Sequence, residues 1–214
     1  TEAELIAKIE ELNENDKIDG MIVQLPIPAH LDSMKIINKI KPEKDIDGLT
    51  KLNAGSLLTA NTGLVSCTPK GIMTLLAEYK VELEGKHVVI VGSSNLVGKP
   101  LISLCLEKNA TVTICHSRTK DLAKFTKEAD VLIVAVGKKN LIDGSMVKEG
   151  AVVIDVGINR NENGKLCGDC YNTENRDVTP VPGGVGLMTR CMLLENVYNA
   201  AVRNRKWEEF GSMI

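Results

Sequence analysis

The hydrophobic positions of the chain form two kinds of pattern. From residue 88 onward, short and nearly continuous aliphatic runs alternate with segments of helical periodicity. The runs are Val88–Val91, Thr111–Cys115, Val131–Val136 and Val152–Val156. Strands that are apolar on both sides are typical of a parallel sheet covered by helices on both faces. This part of the chain therefore predicts an α/β domain with a Rossmann-type parallel sheet.

The first third of the chain predicts a second, smaller α/β part. Residues 2–12 have helical spacing, and residues 21–25 are predicted to form a short β-strand that Pro26 and Pro28 stop. Asp32 is placed to cap a further helix. Residues 43–66 contain several Asp-Gly and Gly positions and are predicted to be mostly loop.

Local signals place the remaining helices. Thr68 and Pro69 have the cap and first-turn chemistry that begins a helix. Further helices are predicted over Pro100–Glu107 and from Thr119 to Lys127, and a last helix follows the Pro/Gly-rich segment 179–186.

Composition narrows the class of protein. The 214 residues carry a net charge of −2 and are 43% hydrophobic, without a long block of like charges. Nucleic acid and membrane surfaces are therefore not predicted as partners, and no apolar run approaches the ~20 residues of a membrane span. No ligand spacing for a metal is visible. The six cysteines are scattered, which predicts reduced thiols and a cytoplasmic protein. Cys167 and Cys170 have the spacing of a redox or half-zinc motif, or lie together in a loop by chance.

The loop after Val88–Val91 is the strongest candidate for a binding site. Gly92 follows the strand directly, Ser94 lies near the usual second glycine, and Gly98 opens the next helix. A glycine turn between strand and helix directs backbone N–H groups toward a dinucleotide pyrophosphate. The alternative is a glycine-containing turn that binds no ligand.

The end of the second strand favours NADP over NAD. NAD enzymes usually carry an acidic residue there, which accepts a hydrogen bond from the ribose 2′-hydroxyl. This chain has Ser117 and Arg118 instead, and both can donate to a 2′-phosphate. The alternative is that the two residues only cap the next helix.

Small residues follow the next two strands, at Ala135-Val136-Gly137 and Val156-Gly157-Ile158. Carboxyl ends of parallel strands line the ligand crevice of an open sheet, so the backbone here can approach the cofactor. Both segments could also be ordinary turns. Gln24 and Asp47 are polar residues that, taken alone, fit a surface position and a turn equally well.

Together these motifs resemble one family, the bifunctional methylenetetrahydrofolate dehydrogenase/methenyltetrahydrofolate cyclohydrolases. The resemblance covers nearly the whole chain, in the family's order. It is carried by residues 23–28 (VQLPIP), 44–48 (KDIDG), 67–71 (CTPKG), 92–100, 153–160 (VIDVGINR) and 179–186 (TPVPGGVG).

The resemblance implies a Rossmann-type domain that binds NADP and an α/β folate-binding domain, here truncated. It assigns residues 1–48 and 188–214 to the folate domain, 49–69 to a connecting segment and 70–187 to the NADP domain. It also implies a homodimer, assembled through the Rossmann domain.

The implied activity is NADP-dependent oxidation of 5,10-methylenetetrahydrofolate to the 5,10-methenyl form, followed by hydrolysis to 10-formyltetrahydrofolate. This is one-carbon metabolism, and it feeds purine biosynthesis. Two alternatives stay open: a protein that binds NADP without turnover, and another NAD(P) dehydrogenase on the same fold.

The resemblance also assigns site residues. Asp47 resembles the aspartate that grips the pterin ring, and Gln24 the glutamine that tunes a catalytic lysine. The folate is bordered by Pro182, Gly183 and Gly186. Cofactor contacts fall on Ser94, Ser117, Val156, Ile158 and Thr189. The glycine loop and strand ends add Gly92, Ser93, Val97, Gly98, Arg118, Ala135, Val136 and Gly137.

In the family the catalytic lysine lies in a Tyr-x-x-x-Lys helix upstream of residues 23–28. We expect the 214 residues to begin after that helix. Lys8 and Lys17 do not match the motif. The resemblance therefore implies that this chain, as given, lacks the cyclohydrolase step.

Overall fold

The computed structural model describes the backbone of residues 1–59, 63–173 and 176–211, and side chains as far as Arg203. The chain divides into two compact units, Thr1–Cys67 with Cys191–Ile214, and Thr68–Arg190. The functional domain boundaries predicted from the sequence stay predictions. Residues 60–62 of the predicted connecting segment lie outside the described residues, as do the side chains of 204–214.

Helices open the chain, helices and strands alternate over residues 67–134, and short strands precede the last helix. In order they are α1 (Glu2–Asn13), α2 (Ser33–Ile37), α3 (Lys51–Thr59), α4 (Cys67–Glu78), β1 (His87–Val91), α5 (Gly98–Leu106), β2 (Thr111–Cys115), α6 (Leu122–Thr126), β3 (Val131–Val134), β4 (Ile142–Asp143), β5 (Val152–Asp155), β6 (Asn159–Arg160), β7 (Leu166–Cys167), β8 (Cys170–Tyr171), β9 (Asp177–Val178) and α7 (Val185–Gly211), with 3₁₀ turns at Pro42–Lys44 and Gly144–Met146.

The first two helices of the first unit begin where the sequence signals place them. The Thr1 hydroxyl accepts a hydrogen bond from the Glu4 N–H at 3.3 Å, one half of a capping box that begins α1. Asp32 caps α2 through the Lys35 N–H. Ile9, Ile36 and Ile40 then bury their side chains together in a small core.

Two predictions for the first unit are wrong. Residues 21–25 form a single parallel bridge, between Met21 and Asp45, and not a strand. Pro26 lacks the N–H that would extend the pairing. Residues 43–66 are not mostly loop, because they contain α3. The Lys51 N–H in its first turn donates to the Asn38 side chain at 2.7 Å, a tertiary contact that no local pattern shows.

The second unit contains the predicted Rossmann-type sheet. Five parallel strands lie in the order β2-β1-β3-β5-β9. Successive residues of β1 point to opposite faces, so Val88 and Ile90 pack in one core and Val89 and Val91 in the other. Because both cores are buried, the strands are apolar at almost every position. The predicted fold class is confirmed.

Two helix starts differ from the prediction. Helix α5 begins at Gly98, two residues before the predicted Pro100. Helix α6 begins at Leu122, with Asp121 at its N-cap, and not at Thr119. The Thr119 hydroxyl instead accepts the His116 N–H at 2.9 Å, which closes a separate turn after β2. No helix in the described residues is long and apolar enough to cross a bilayer.

Candidate functional site: a dinucleotide edge and a buried carboxylate

The turn after β1 requires glycine at its first position. Gly92 has φ +122°, and an added Cβ would collide with the carbonyl oxygen of Ala135 at the end of β3. Its N–H donates to the Cys115 carbonyl at 2.8 Å, which fixes the turn against β2. A larger residue would therefore both strain the backbone and separate the strand ends.

Gly98 lets the start of α5 approach this turn. A Cβ at Gly98 would overlap the Gly92 carbonyl oxygen. The Ser94 hydroxyl accepts the Val97 N–H at 3.1 Å, and the Ser94 carbonyl accepts the Lys99 N–H at 3.0 Å. The loop is thus held closed at the N-terminus of a nine-residue helix, with the Ser93 and Ser94 side chains exposed.

The turn after β2 lies beside this loop. Its backbone is fixed locally, because the Arg118 N–H donates to Nδ1 of His116 at 3.1 Å. Ser117 and Arg118 are exposed and lie outside α6, so the alternative that they cap that helix is wrong. No carboxylate is present at residues 116–119.

The ends of β3 and β5 lie at the same edge of the sheet. The Ala135 N–H donates to the Val91 carbonyl, and the Val156 N–H donates to the Val134 carbonyl, both at 2.8 Å. Val136 and Ile158 expose 45% and 69% of their surface there, so this edge presents apolar as well as polar groups. The predicted cofactor residues from four strand ends are thus brought together at one edge.

The edge fits NADP by its shape and its donor groups. The two glycines leave space where side chains would block a pyrophosphate, and the N-terminus of α5 favours an anion. Arg118 is the basic group at the turn where a 2′-phosphate would lie. Thr189 lies apart from this edge in sequence, on α7, where its hydroxyl donates to the Val185 carbonyl at 3.1 Å.

Asp47 is the partly buried carboxylate of the first unit. Burial raises the pKa of Asp47 above its ordinary value, and the negative charge of Asp45 raises it further. A hydrogen bond from the Cys67 thiol opposes this rise in the pKa. Asp47 is therefore a desolvated acceptor, suited to an N–H-rich ligand edge.

Asp45 shapes the loop that carries Asp47. It is 1% exposed, and its carboxylate accepts the Thr50 N–H at 2.7 Å and the Asn53 side-chain N–H at 2.9 Å.

Gln24 is exposed and donates to the Leu25 carbonyl at 3.0 Å, so its predicted role stays a prediction. The structure places Pro182, Gly183 and Gly186 in the second unit, at or just before the start of α7.

Both parts of the chain match models of one family. Residues 66–205 match the tetrahydrofolate dehydrogenase/cyclohydrolase NAD(P)-binding domain, and residues 1–47 match the catalytic domain of the same name. The bifunctional protein FolD of Burkholderia thailandensis is 54% identical over 207 residues, which are 95% of this chain and 73% of the relative. That of Campylobacter hominis is 54% identical over 96% of this chain and 73% of its own length.

The chain belongs to the tetrahydrofolate dehydrogenase/cyclohydrolase family.

Solved structures of this family have the same fold. The bifunctional FolD of Campylobacter jejuni superposes with a TM-score of 0.91, at 48% identity over 95% of this chain and 74% of its own. The Trypanosoma brucei enzyme, solved with NADP and an inhibitor, has a TM-score of 0.88 at 37% identity, over 95% of this chain and 73% of its own. The predicted family is thus confirmed.

The sequence interpretation missed an anchor of the Asp47 loop in this family member. Asn196 of α7 is 1% exposed, and its amide donates to the Ile46 carbonyl at 2.8 Å and the Val65 carbonyl at 2.9 Å. A signal was present, because Asn196 lies between the buried Met192 and Ala200 at four-residue spacing. A polar residue on such a buried stripe indicates a built hydrogen bond.

A second omission is Asp169 at the cofactor edge, whereas Asp155 is recognisable in the sequence as a structural residue beside a buried strand. Asp155 and Asp169 are buried carboxylates, 3% and 0% exposed, beside the ends of β3 and β5. Asp155 gives a sequence signal, since it ends an aliphatic strand. Asp169 gives none, because its partners are more than 30 residues away at Val136 and Gly137.

The Cys170 thiol of the Cys167–Cys170 pair has a raised pKa. The two cysteines are free and lie on β7 and β8. Burial and the nearby charge of Asp155 raise the pKa of the Cys170 thiol, which disfavours the reactive thiolate. Among the described residues no group of His, Cys, Asp and Glu side chains is arranged to hold a metal ion.

Proposed function

We propose that the protein oxidises 5,10-methylenetetrahydrofolate to 5,10-methenyltetrahydrofolate with NADP and hydrolyses that product to 10-formyltetrahydrofolate. The observation that carries this proposal is 54% identity to bifunctional FolD proteins along 95% of the chain, with both family domains matched in order. In the first step the methylene carbon loses a hydride with its electron pair. In the second, water adds to the methenyl carbon and a ring C–N bond opens.

The second unit holds the cofactor. When bound, NADP supplies the hydride acceptor. The residues around Gly92 and Gly98 would receive its pyrophosphate, and Ser117 and Arg118 its 2′-phosphate. The ends of β3 and β5 would lie beside its nicotinamide half. Their exposed Val136 and Ile158 would keep water from that half, which favours hydride transfer over side reactions.

We assign the folate contacts by the family pattern. Asp47 would grip the amino and ring N–H groups of the pterin, because a desolvated carboxylate accepts two parallel donors. Gln24 would contact the catalytic lysine of the family. The backbone of Pro182, Gly183 and Gly186 would border the folate. These roles are supported by the local environments described above and by the order of the motifs.

We also propose a homodimer and a cytoplasmic protein. The homodimer is supported by β9, one of the two edge strands of the five-stranded sheet, and by the mainly apolar surface beside it. The compartment is supported by six free cysteines, which suit a reducing environment.

The reaction is tested with the full-length protein by following absorbance at 340 nm. We expect NADPH to form only when methylenetetrahydrofolate and NADP⁺ are both present, with a lower rate for NAD⁺. Appearance of 10-formyltetrahydrofolate, measured by chromatography, reports the second step. Tight NADP binding without turnover of either step would instead support a binding protein, and no response to any folate would reject the proposal.

A further inference from the structure

Two buried carboxylates join the ends of β3 and β5. One oxygen of Asp169 accepts the N–H groups of Val136 and Gly137, both at 2.9 Å. The other accepts the Asn159 side-chain N–H at 2.8 Å. Asp169 is 0% exposed, so these hydrogen bonds replace water that the carboxylate has lost.

Asp155 completes the connection. Its Oδ1 accepts the Gly157 N–H and the Asp169 N–H, both at 2.9 Å, and its Oδ2 accepts the Cys170 N–H at 2.8 Å. Glycine is required beside each carboxylate, because a Cβ at Gly157 would overlap Asp169 and one at Gly168 would overlap Asp155. The segment 168–170 therefore sets the positions of the residues that follow both strands.

We infer that Asp169 is a positioning residue for the nicotinamide half of the cofactor. The inference rests on the proposed NADP site. The pyrophosphate loop follows β1, and the 2′-phosphate turn follows β2 on one side of it. The remaining half of a dinucleotide then lies on the other side, along β3 and β5. Val136 and Gly137, which Asp169 holds, form that part of the edge.

The chemistry requires a carboxylate at position 169. An amide there still accepts the Val136 and Gly137 N–H groups through its oxygen. Its NH₂ group, however, then faces the NH₂ group of Asn159, donor against donor. Either the side chain at position 169 or the end of β3 must then move to separate the two donors. A shift of about 1 Å is enough to weaken binding to a preorganised site.

The test compares two ligands on Asp169→Asn by calorimetry with the full-length protein. NADP⁺ reaches both halves of the edge, whereas adenosine 2′,5′-bisphosphate reaches only the β1 and β2 half. We expect the variant to bind NADP⁺ roughly tenfold more weakly and the bisphosphate within about twofold of wild type. A purely structural role would weaken both ligands together.

Asp130→Asn is the matched control. Asp130 also accepts a strand N–H, from His87 at 2.9 Å, but at the opposite end of the sheet. We expect it to lower the thermal midpoint without changing the ratio of the two affinities. The double variant Asp169→Asn/Asn159→Asp restores a donor–acceptor pair between the two side chains. It leaves the Gly168 carbonyl without the Asn159 N–H that it accepts at 3.0 Å, so only part of the NADP⁺ affinity should be recovered.

Asn159→Ala keeps the test decisive if Asp169→Asn does not fold. It removes the N–H groups that Asp169 and the Gly168 carbonyl accept, at 2.8 and 3.0 Å, but brings no two donors together. NADP⁺ binding should therefore weaken in the same direction and by less. Equal losses for both ligands, or unchanged NADP⁺ affinity in these folded variants, would overturn the inference. If the wild-type protein binds neither ligand, the proposed cofactor site itself is wrong.

Discussion

At the scale of single residues, Asp47 combines burial with charge. A carboxylic acid whose pKa is raised in the folded chain holds its proton more tightly there than in the unfolded chain. Its stabilising contribution is therefore present at low pH and is lost as the pH rises through the folded-state pKa. Binding of folate has the opposite requirement, because only the ionised form accepts two N–H donors.

We expect Asp47→Asn to separate these two effects. At neutral pH it removes a desolvated ion, so the unfolding midpoint should be unchanged or higher. Loss of the charge-assisted hydrogen bonds, worth about 1.5–3 kcal/mol, should raise KM for methylenetetrahydrofolate about 10- to 100-fold. In the wild type, KM should rise as the pH falls through the raised pKa of Asp47, and the variant should lack this dependence.

The measurement is steady-state kinetics from acid to neutral pH beside thermal unfolding of the same samples. Asp16→Asn is the control, since Asp16 is an exposed carboxylate of the same unit. A variant that keeps the wild-type KM would remove Asp47 from the folate site.

At the scale of elements, the junction of β1 and α5 depends on close backbone approach. Alanine within a helix is favoured over glycine by about 1 kcal/mol. At Gly98, however, its Cβ would overlap the carbonyl oxygen of Gly92, and a backbone atom cannot rotate away. Overpacking of this kind costs about 1–3 kcal/mol and outweighs the gain in helix propensity.

Gly98→Ala should therefore lower both the unfolding midpoint and NADP affinity, the latter by roughly tenfold or more. Gly150→Ala is the matched control. Gly150 has φ +72° with open space around it, so alanine there costs strain of roughly 1–2 kcal/mol but leaves the cofactor loop intact. Calorimetric titration with NADP⁺ measures the affinity of each variant and so distinguishes Gly98→Ala from Gly150→Ala. Equal NADP affinity in both variants would contradict the role of the junction.

Elements that depend on local pattern were predictable, and those that depend on distant partners were not. The strands of the sheet follow from aliphatic runs such as Val131–Val134, because burial on both faces leaves no polar positions. Helix α3 was missed because its first turn is held by Asn38 and Asp45, through Lys51 and Thr50. The same reason hid Asp169, whose bonds cross more than 30 residues.

At the scale of the whole molecule, the predicted cofactor and pterin residues fall in different units. Gly92, Arg118 and Ile158 belong to Thr68–Arg190, and Asp47 belongs to the other unit. NADP at 100 times its Kd stabilises the form that binds it by about 2.7 kcal/mol. Hydrogen exchange should therefore slow around β1, β3 and β5 when NADP is added alone.

A folate substrate added alone should slow exchange around Asp47 instead. Both patterns are read from peptides of the same digest, with adenosine added as a control ligand that lacks the phosphates. Protection around Asp47 from NADP alone would contradict the assignment of the cofactor to the second unit.

The surface beside β9 supports the proposed homodimer. A groove of about 590 Å³ in the second unit is lined mainly by apolar side chains, among them Leu75, Tyr79, Val178 and Leu187, together with Arg176 and Asp177. The groove also reaches Gly183, which borders the proposed folate site. Tyr79 and Leu187 expose 77% and 52% of their surface, and β9 has an edge that a second strand can pair with. A second copy of this chain would cover the groove and pair with the edge of β9 through one symmetric contact, because the same patch of each copy then faces the other.

Light scattering during size-exclusion chromatography should therefore give twice the mass of a single chain of the protein used. Tyr79→Asp places a charge on the groove, and burying an unpaired carboxylate in an interface costs several kcal/mol. The variant should elute as a monomer and still bind NADP, because Tyr79 lies on the α4 side of the unit and not in the loops at the cofactor edge. Glu128→Gln, an exposed change outside the groove, serves as the control. A dimer that survives Tyr79→Asp at micromolar concentration would place the interface elsewhere on the molecule.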